Sequence, residues 1–440
     1  MIDSREIELA RRCLQSALDK GAQKVRVTLS KNIMDLAGTL NGELDKTSHC
    51  LDRSLSINLL ADGKFGSFST NRIEDTDTFL DRAIEKVRML AEDRFRDLPA
   101  PERTAKDAVL GTELGLCDPA YPHTDANRRI EKALAASIFK SRPEGLVSEE
   151  AEYSETVSDT LILDSNGLYC RHTETGFDYG VEMTVEDAAG NKFSGYWWDA
   201  SPWRDRLDLG AVCPTALSRA RAQMNPRPVS SGKYNMVIDT EVASRVVSPV
   251  LSALSAYSVQ QNNSFLTGKA GQKVFPEGLT IIDDCRIPGQ SGSRLFDSEG
   301  VATRTVPIIE NGVVRQYFIN TYMSGKMGME PTLESAMRPR VAGWPRPGLS
   351  RDDILQMCGS GILVTGFNGG NSNSSTGDFS YGIEGFAFEN GKITHPVREM
   401  LVTGNFLTLW NNLTAAGEDA RGCMSKLIPT LAFSNVDFSA

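Results

Sequence analysis

Residues 366–385 read Gly-Phe-Asn-Gly-Gly-Asn-Ser-Asn-Ser-Ser-Thr-Gly-Asp-Phe-Ser-Tyr-Gly-Ile-Glu-Gly. Glycine and asparagine enter backbone conformations that other residues avoid, and they let the main chain pass close to another surface. The stretch predicts a tight multi-turn loop that feeds at once into an aromatic and acidic strand, Phe379 to Phe388. Chain reversal alone accounts for most of it. A loop of this length against such a strand also suits a binding surface or an interface, and composition does not separate the two.

Outward from this loop, Asn311-Gly312 and Asn390-Gly391 are hairpin signals. One helix is expected from Thr240 to Val259, and residues 339–351, with three prolines, read as a long surface loop. Residues 233–440 are therefore expected to form a β-rich C-terminal domain. Asn225-Pro226-Arg227-Pro228 and Ser230-Ser231-Gly232 mark the boundary, and residues 1–225 read as an α+β N-terminal domain. There, Ile7, Ala10, Leu14, Ala17 and Leu18 share one helical face, with Asp3 and Glu6 as a capping pair and Gly21 as the stop. Strand-like runs follow at 24–29, 34–40, 54–60 and 64–69, the last after an Asp62-Gly63 turn, and a second helix is capped near Asp75. The order then returns, with a helix over 124–139, strands over 147–197 and a helix over 207–224. This suggests a duplication of helix-strands-helix units stacked side by side. The fold class is α+β with two domains.

Composition excludes several classes. The 440 residues are 40% hydrophobic, 24% charged and 8% aromatic, which are globular values, and the formal charge is −10. A surface of that sign repels phosphate, so neither direct nucleic-acid binding nor attachment to anionic lipid is expected. No basic segment precedes an apolar run at Met1-Ile2-Asp3-Ser4-Arg5-Glu6, and no apolar run is long enough to span a membrane. The eight cysteines lie 37 or more residues apart. That spacing builds no local zinc site and reads as reduced thiols in a cytoplasmic protein.

The sequence lacks most local catalytic motifs. His49, His123, His172 and His395 stand at least 49 residues apart, so a helical two-histidine metal motif is absent. Neither the G-x-S-x-G nucleophile elbow nor the phosphate-binding loop ending in Gly-Lys-Ser/Thr occurs. Cys423 as nucleophile with His395 as base is a remaining enzymatic option, although the two lie 28 residues apart in a β domain.

The 366–385 stretch, together with Glu389 to Ile393, Pro396-Val397 and Val402 to Asn405, resembles the C-terminal signature of the TldD/PmbA family, once named modulators of DNA gyrase. Arg245 to Gly268, Ile282 to Asp284, Gly292 to Gly300 and Ile308 to Val314 add to the resemblance, which covers residue 20 onward. TldD-like members carry an H-E-x-x-x-H helix and a later cysteine that bind catalytic zinc; PmbA/TldE-like members lack the histidines. Placing that motif by Asn263 to Gly268 puts Val247, Ser248 and Ser252 at the His, Glu and His positions, with the cysteine retained as Cys423. Valine has no lone pair, and a serine hydroxyl is too weak a base and ligand for this work.

The resemblance thus implies a PmbA/TldE-like subunit with no cofactor of its own, completing a peptidase whose zinc sits in a TldD-like partner. Unfolded peptides would be the substrates. Asn368, Gly369, Gly370, Asn371, Asp378, Phe379 and Glu384 are the residues expected at the interface or against the peptide. The alternative is a non-enzymatic homodimer that binds peptides or proteins, as the gyrase-modulator name suggests.

Overall fold

The computed structural model describes residues 1–123 and 125–440, apart from the side chain of His123. In its first half the elements are α1 (Ser4–Asp19), β1 (Lys24–Leu40), β2 (Glu43–Ala61), β3 (Lys64–Thr70), α2 (Asp77–Arg88), α3 (Ala126–Ala136), β4 (Leu146–Asp164), β5 (Tyr169–Glu186), β6 (Lys192–Ser201) and α4 (Val212–Ala222). In the second they are β7 (Gly232–Ile238), α5 (Ser244–Ala253), α6 (Ala256–Gln260), β8 (Thr280–Asp283), β9 (Val306–Glu310), β10 (Val313–Val314), α7 (Thr321–Met327), β11 (Pro339–Gly343), α8 (Arg351–Cys358), β12 (Gly361–Phe367), β13 (Asn371–Ser372), β14 (Asp378–Glu389), β15 (Lys392–Asn405), α9 (Phe406–Asn411), β16 (Leu413–Ala416) and β17 (Leu431–Ser439). The architecture is α+β. Two compact units emerge: Met1–Ala220 with Arg286–Thr303 and Asn320–Pro331, and Arg221–Cys285 with Arg304–Ile319 and Thr332–Ala440.

In the first unit the order α-β-β-β-α occurs twice. The two sets do not stack their sheets face to face, as the sequence suggested. They join edge to edge into a six-stranded sheet ordered β3-β2-β1-β4-β5-β6. The central β1–β4 pair is antiparallel and runs from Arg26↔Asp164 to Leu40↔Glu150. Backbone pairing along this seam satisfies donors and acceptors that stacked units would leave on two open edges. The expected runs 24–29 and 34–40 prove to be one strand, β1, because each long strand here continues through its polar middle. Asp3 and Glu6 form the capping box of α1, as expected. Alternate residues of β1, β2 and β4, among them Val27, Ile57 and Leu161, turn to one face and bury against Leu80, Ile84 and Val87 of α2 and Cys13 and Ala17 of α1. Each large side chain so buried stabilises the unit by roughly 1.5–3 kcal/mol. Near the seam, the fully buried Glu155 accepts hydrogen bonds from Arg129 (3.0 Å), Arg204 (3.1 Å) and the Tyr153 hydroxyl (2.8 Å). The helix expected over 124–139 is α3; Thr124 lies outside the described residues.

The second unit contains a four-stranded sheet, β10-β9-β8-β11, and a larger sheet in the order β12-β7-β17-β15-β14-β13. In the larger one β12 also pairs with β14, so five strands close on themselves. β13 follows β12 along the same side of β14, and its only strand partner among the described residues is β14. The hairpin turns fall at Asn311-Gly312 and Asn390-Gly391, both asparagines being left-handed (φ 50° at each). Two expectations are corrected. The helix expected over 240–259 divides into α5 and α6, because Ala256 N donates to Phe318 O and Phe318 N to Leu254 O, a strand-like bridge that diverts the backbone at Ser255. The 339–351 loop begins as β11 at the edge of its sheet, where a proline at the first strand position breaks no ladder bond. No helix among the described residues is long and apolar enough to cross a membrane, and none of the eight cysteines is in a disulfide.

Candidate functional site

Helix α5 is amphipathic. Val246, Val247, Val250 and Ala253 are buried. Arg245, Ser248, Pro249 and Ser252, at i, i+3, i+4 and i+7, line a groove of about 410 Å³. Opposite them lies the loop and strand 370–374, and the floor is aromatic, with Phe265, Tyr381 and Phe406. All these residues belong to the second unit.

The floor is a continuous stack. Phe265 faces Phe406 at 6.0 Å, Phe406 faces Phe379 at 4.8 Å and Phe379 faces Tyr381 at 5.4 Å between ring centroids. Phe379 and Tyr381 are two apart on β14 and so share a face. Arg245 sits over the Tyr381 ring at 4.5 Å, and no carboxylate among the described residues comes within ion-pairing distance of it.

The loop is held by its own polar groups. Asn373 Oδ1 accepts from Ser375 N at 2.9 Å, and Phe406 N donates to Gly377 O at 2.8 Å. Asp378 accepts from Asn405 Nδ2 (2.9 Å) and Thr376 Oγ1 (2.6 Å), and these donors, Asn405 first, hold its carboxyl below the usual range. Phe265 N donates to Ser374 O at 3.0 Å, and the Ser374 and Ser375 hydroxyls reach Asn263 Oδ1.

The sequence-selected residues therefore have distinct placements. Gly370 and Asn371 line the groove, Asn368 and Gly369 are exposed beside it, Asp378 braces the loop, Phe379 is buried in the floor, and Glu384 is half-buried behind Gly366. Val247 turns into the core while Ser248 and Ser252 face the groove. The segment carrying Cys423 docks beside α5 at two points. Arg421 pairs with Glu241, and Lys426 Nζ donates to Ser248 Oγ at 2.8 Å. His395 lies on β15 opposite Ala387, with Nδ1 3.1 Å from Thr394 Oγ1.

Sequence reasoning missed Arg245, Phe265, Phe406 and Lys426. Arg245 had a readable signal, being the first of three polar residues at helical spacing on a largely apolar helix; Lys426 had none. A guanidinium, an ammonium and two hydroxyls favour an anion. They do not fit a zinc ion, which needs thiolate, imidazole or carboxylate donors. Among the described residues no group of three or more His, Cys, Asp or Glu side chains is arranged to hold a metal.

Known proteins share this framework. Metalloprotease PmbA of Escherichia coli O157:H7 is 26% identical over 451 residues, covering 97% of each chain. A metalloprotease PmbA homologue of Haemophilus influenzae is 25% identical, covering 86% of this chain and 83% of its own. A crystal structure that carries the name modulator of DNA gyrase, from Bacteroides thetaiotaomicron, superposes over 100% of both chains with a TM-score of 0.93 and 37% identity. TldE from Thermococcus kodakarensis shares the fold, with a TM-score of 0.82 at 18% identity over 98% of this chain and 100% of its own. The models of the PmbA/TldA metallopeptidase central and C-terminal domains match residues 121–224 and 231–440. With more than half of its length so matched, the chain belongs to the PmbA/TldD metallopeptidase family.

Proposed function

We propose that this chain is the PmbA/TldE-like subunit of a two-chain peptidase, acting in the cytoplasm on unfolded peptides while a TldD-like partner supplies the zinc. The observation that carries the reading is the groove beside α5. It has the open edge of β13, a hydrophobic floor and hydroxyl donors, which suit an extended peptide. Its polar groups lack the ligands and the general base that metal-assisted hydrolysis requires. Ser248 and Ser252 take the places of Glu and the second His when the family motif is laid on α5, and a serine can neither hold the metal nor accept the proton of a metal-bound water. The chain would bind and present peptide while the partner cleaves it.

The test is peptidase activity against an unfolded peptide with this chain alone, with a TldD-like protein of the same organism alone, and with both. Activity gained only in the mixture supports the reading. Equal activity with and without this chain defeats it and leaves a non-enzymatic homodimer that binds peptides as the better account. One zinc bound tightly per isolated chain would also count against it.

A further inference from the structure

We infer that the groove recognises a carboxylate, so that its ligand is a peptide presenting a free carboxylate beside an apolar or aromatic side chain. This deepens the peptide-binding reading above and rests on it. Three observations carry it.

First, Arg245 is exposed at the groove, held by the Tyr381 ring at 4.5 Å, and has no acidic partner within ion-pairing distance among the described residues. A guanidinium oriented by stacking keeps its planar fork of donors free, and that fork matches a carboxylate.

Second, Lys426 directs a second donor into the same space. Its ammonium has only protons to give, so at 2.8 Å it occupies a lone pair of Ser248 Oγ. The Ser248 hydroxyl proton has no acceptor among the described residues, so it is available to an oxygen bound in the groove. The positive charge behind Ser248 strengthens that donor. Ser252 adds a further hydroxyl one turn along the helix.

Third, the floor beside these donors is the aromatic stack, Phe265 and Phe406 with Tyr381, and the groove's volume of about 410 Å³ lies within the roughly 300–1,000 Å³ of small-ligand sites. Cation, hydroxyls and ring faces converging on one space suit a carboxylate next to a hydrophobic side chain. A second cation or an uncharged polar segment leaves Arg245 uncompensated.

The carboxylate could be a chain terminus or an acidic side chain. Calorimetric titration of the isolated chain with Ser-Ala-Ser-Ala-Ala-Phe as free acid, the same peptide as C-terminal amide, and Ser-Ala-Ser-Ala-Glu-Phe as amide separates these. The free acid should bind about tenfold or more tightly than the plain amide, the worth of a charge-assisted hydrogen bond. Binding restored in the Glu-containing amide assigns recognition to a side chain; no restoration assigns it to the terminus. R245Q, at an exposed position, should abolish the difference between acid and amide, and S248A should reduce it. Equal binding of all three peptides overturns the inference, as does an acid-amide difference that survives R245Q, or no binding of any of them. The mixed-chain activity assay is independent: gained activity with equal binding of all three peptides would keep the two-chain reading and remove this one.

Discussion

Gly369 and Gly370 offer a matched test of how the groove is built. Both are left-handed, at φ 73° and 93°, so alanine at either pays the same class of backbone strain, about 1–2 kcal/mol. Their surroundings differ. A Cβ on Gly369 meets nothing within 4 Å, whereas one on Gly370 would stand 2.1 Å from Ser380 O and 2.7 Å from Tyr381 Cα. Those atoms are main chain of β14, so no rotamer change relieves the clash, and β13 must move away by about 1 Å to restore ordinary contact. The two register pairs Asn371↔Ser380 and Ser372↔Phe379 would be lost or stretched, at about 0.5–1.5 kcal/mol for each hydrogen bond. G370A should therefore be about 1–3 kcal/mol less stable than G369A. At about 2–4 °C per kcal/mol for a domain of 150–250 residues, the melting temperatures should differ by roughly 2–12 °C. Peeling of the short strand limits the loss in melting temperature, but it dismantles one wall of the groove. Peptide binding measured by calorimetry should then fall for G370A and persist for G369A. Indistinguishable melting and binding in the two variants would refute the close approach of β13 to β14 as the device that shapes the site.

Removing one partner of a buried ion network strands the others, so E155A should cost about 3–5 kcal/mol in urea unfolding, because Arg129 and Arg204 both reach the buried Glu155 carboxylate. F406A, which removes the ring between Phe265 and Phe379, should cost about 3–5 kcal/mol and weaken peptide binding as well. Glu174 carries an acid-stability signature: burial raises its pKa, but the His172 hydrogen bond and the Arg294 charge outweigh it, and the net shift is downward. A lowered folded-state pKa contributes stability that is present above the unfolded value, 4.5, and is lost as pH falls through the folded one. Denaturation curves below that value should therefore be less pH-dependent for E174Q than for the wild type. Native thiol titration should find Cys50 fast, since it is exposed, and Cys13, Cys170 and Cys213 slow, since burial pushes them up to about 11, 12 and 11; fewer than eight thiols in denaturant without reductant would contradict the absence of disulfides.

Local chemistry made much of the fold readable. The capping box at Asp3 and Glu6 and the Asn-Gly and Asp-Gly turns act through neighbouring residues, so they show in any window that contains them. What escaped reading depends on contacts distant in sequence. The break between α5 and α6 is imposed by Phe318, more than sixty residues beyond it. The edge-to-edge junction of the repeated units rests on β1 meeting β4, and no propensity distinguishes that from stacking. The site divides the same way: Gly370 and Asn371 were legible as loop chemistry, while Lys426 reaches Ser248 across 178 positions and has no signature of its own.

Helix α5 presents one face to the core and one to the groove, and its side chains divide accordingly. Val247 completes the buried side of α5 and contributes nothing to the groove lining. Ser248 and Ser252 place small polar groups at the groove, and Arg245 gives that space a positive character, with the Lys426 ammonium bonded to Ser248 Oγ. A cation there would meet the Arg245 guanidinium and no carboxylate or imidazole among the lining residues, while an anion would meet that guanidinium and a Ser248 hydroxyl whose lone pair is already occupied by Lys426. On the proposed reading, the ligand of the groove is set by the polar groups on one face of a ten-residue helix, and R245Q, tested against free-acid and amidated peptides, is the variant that separates a carboxylate-recognising surface from a groove indifferent to charge.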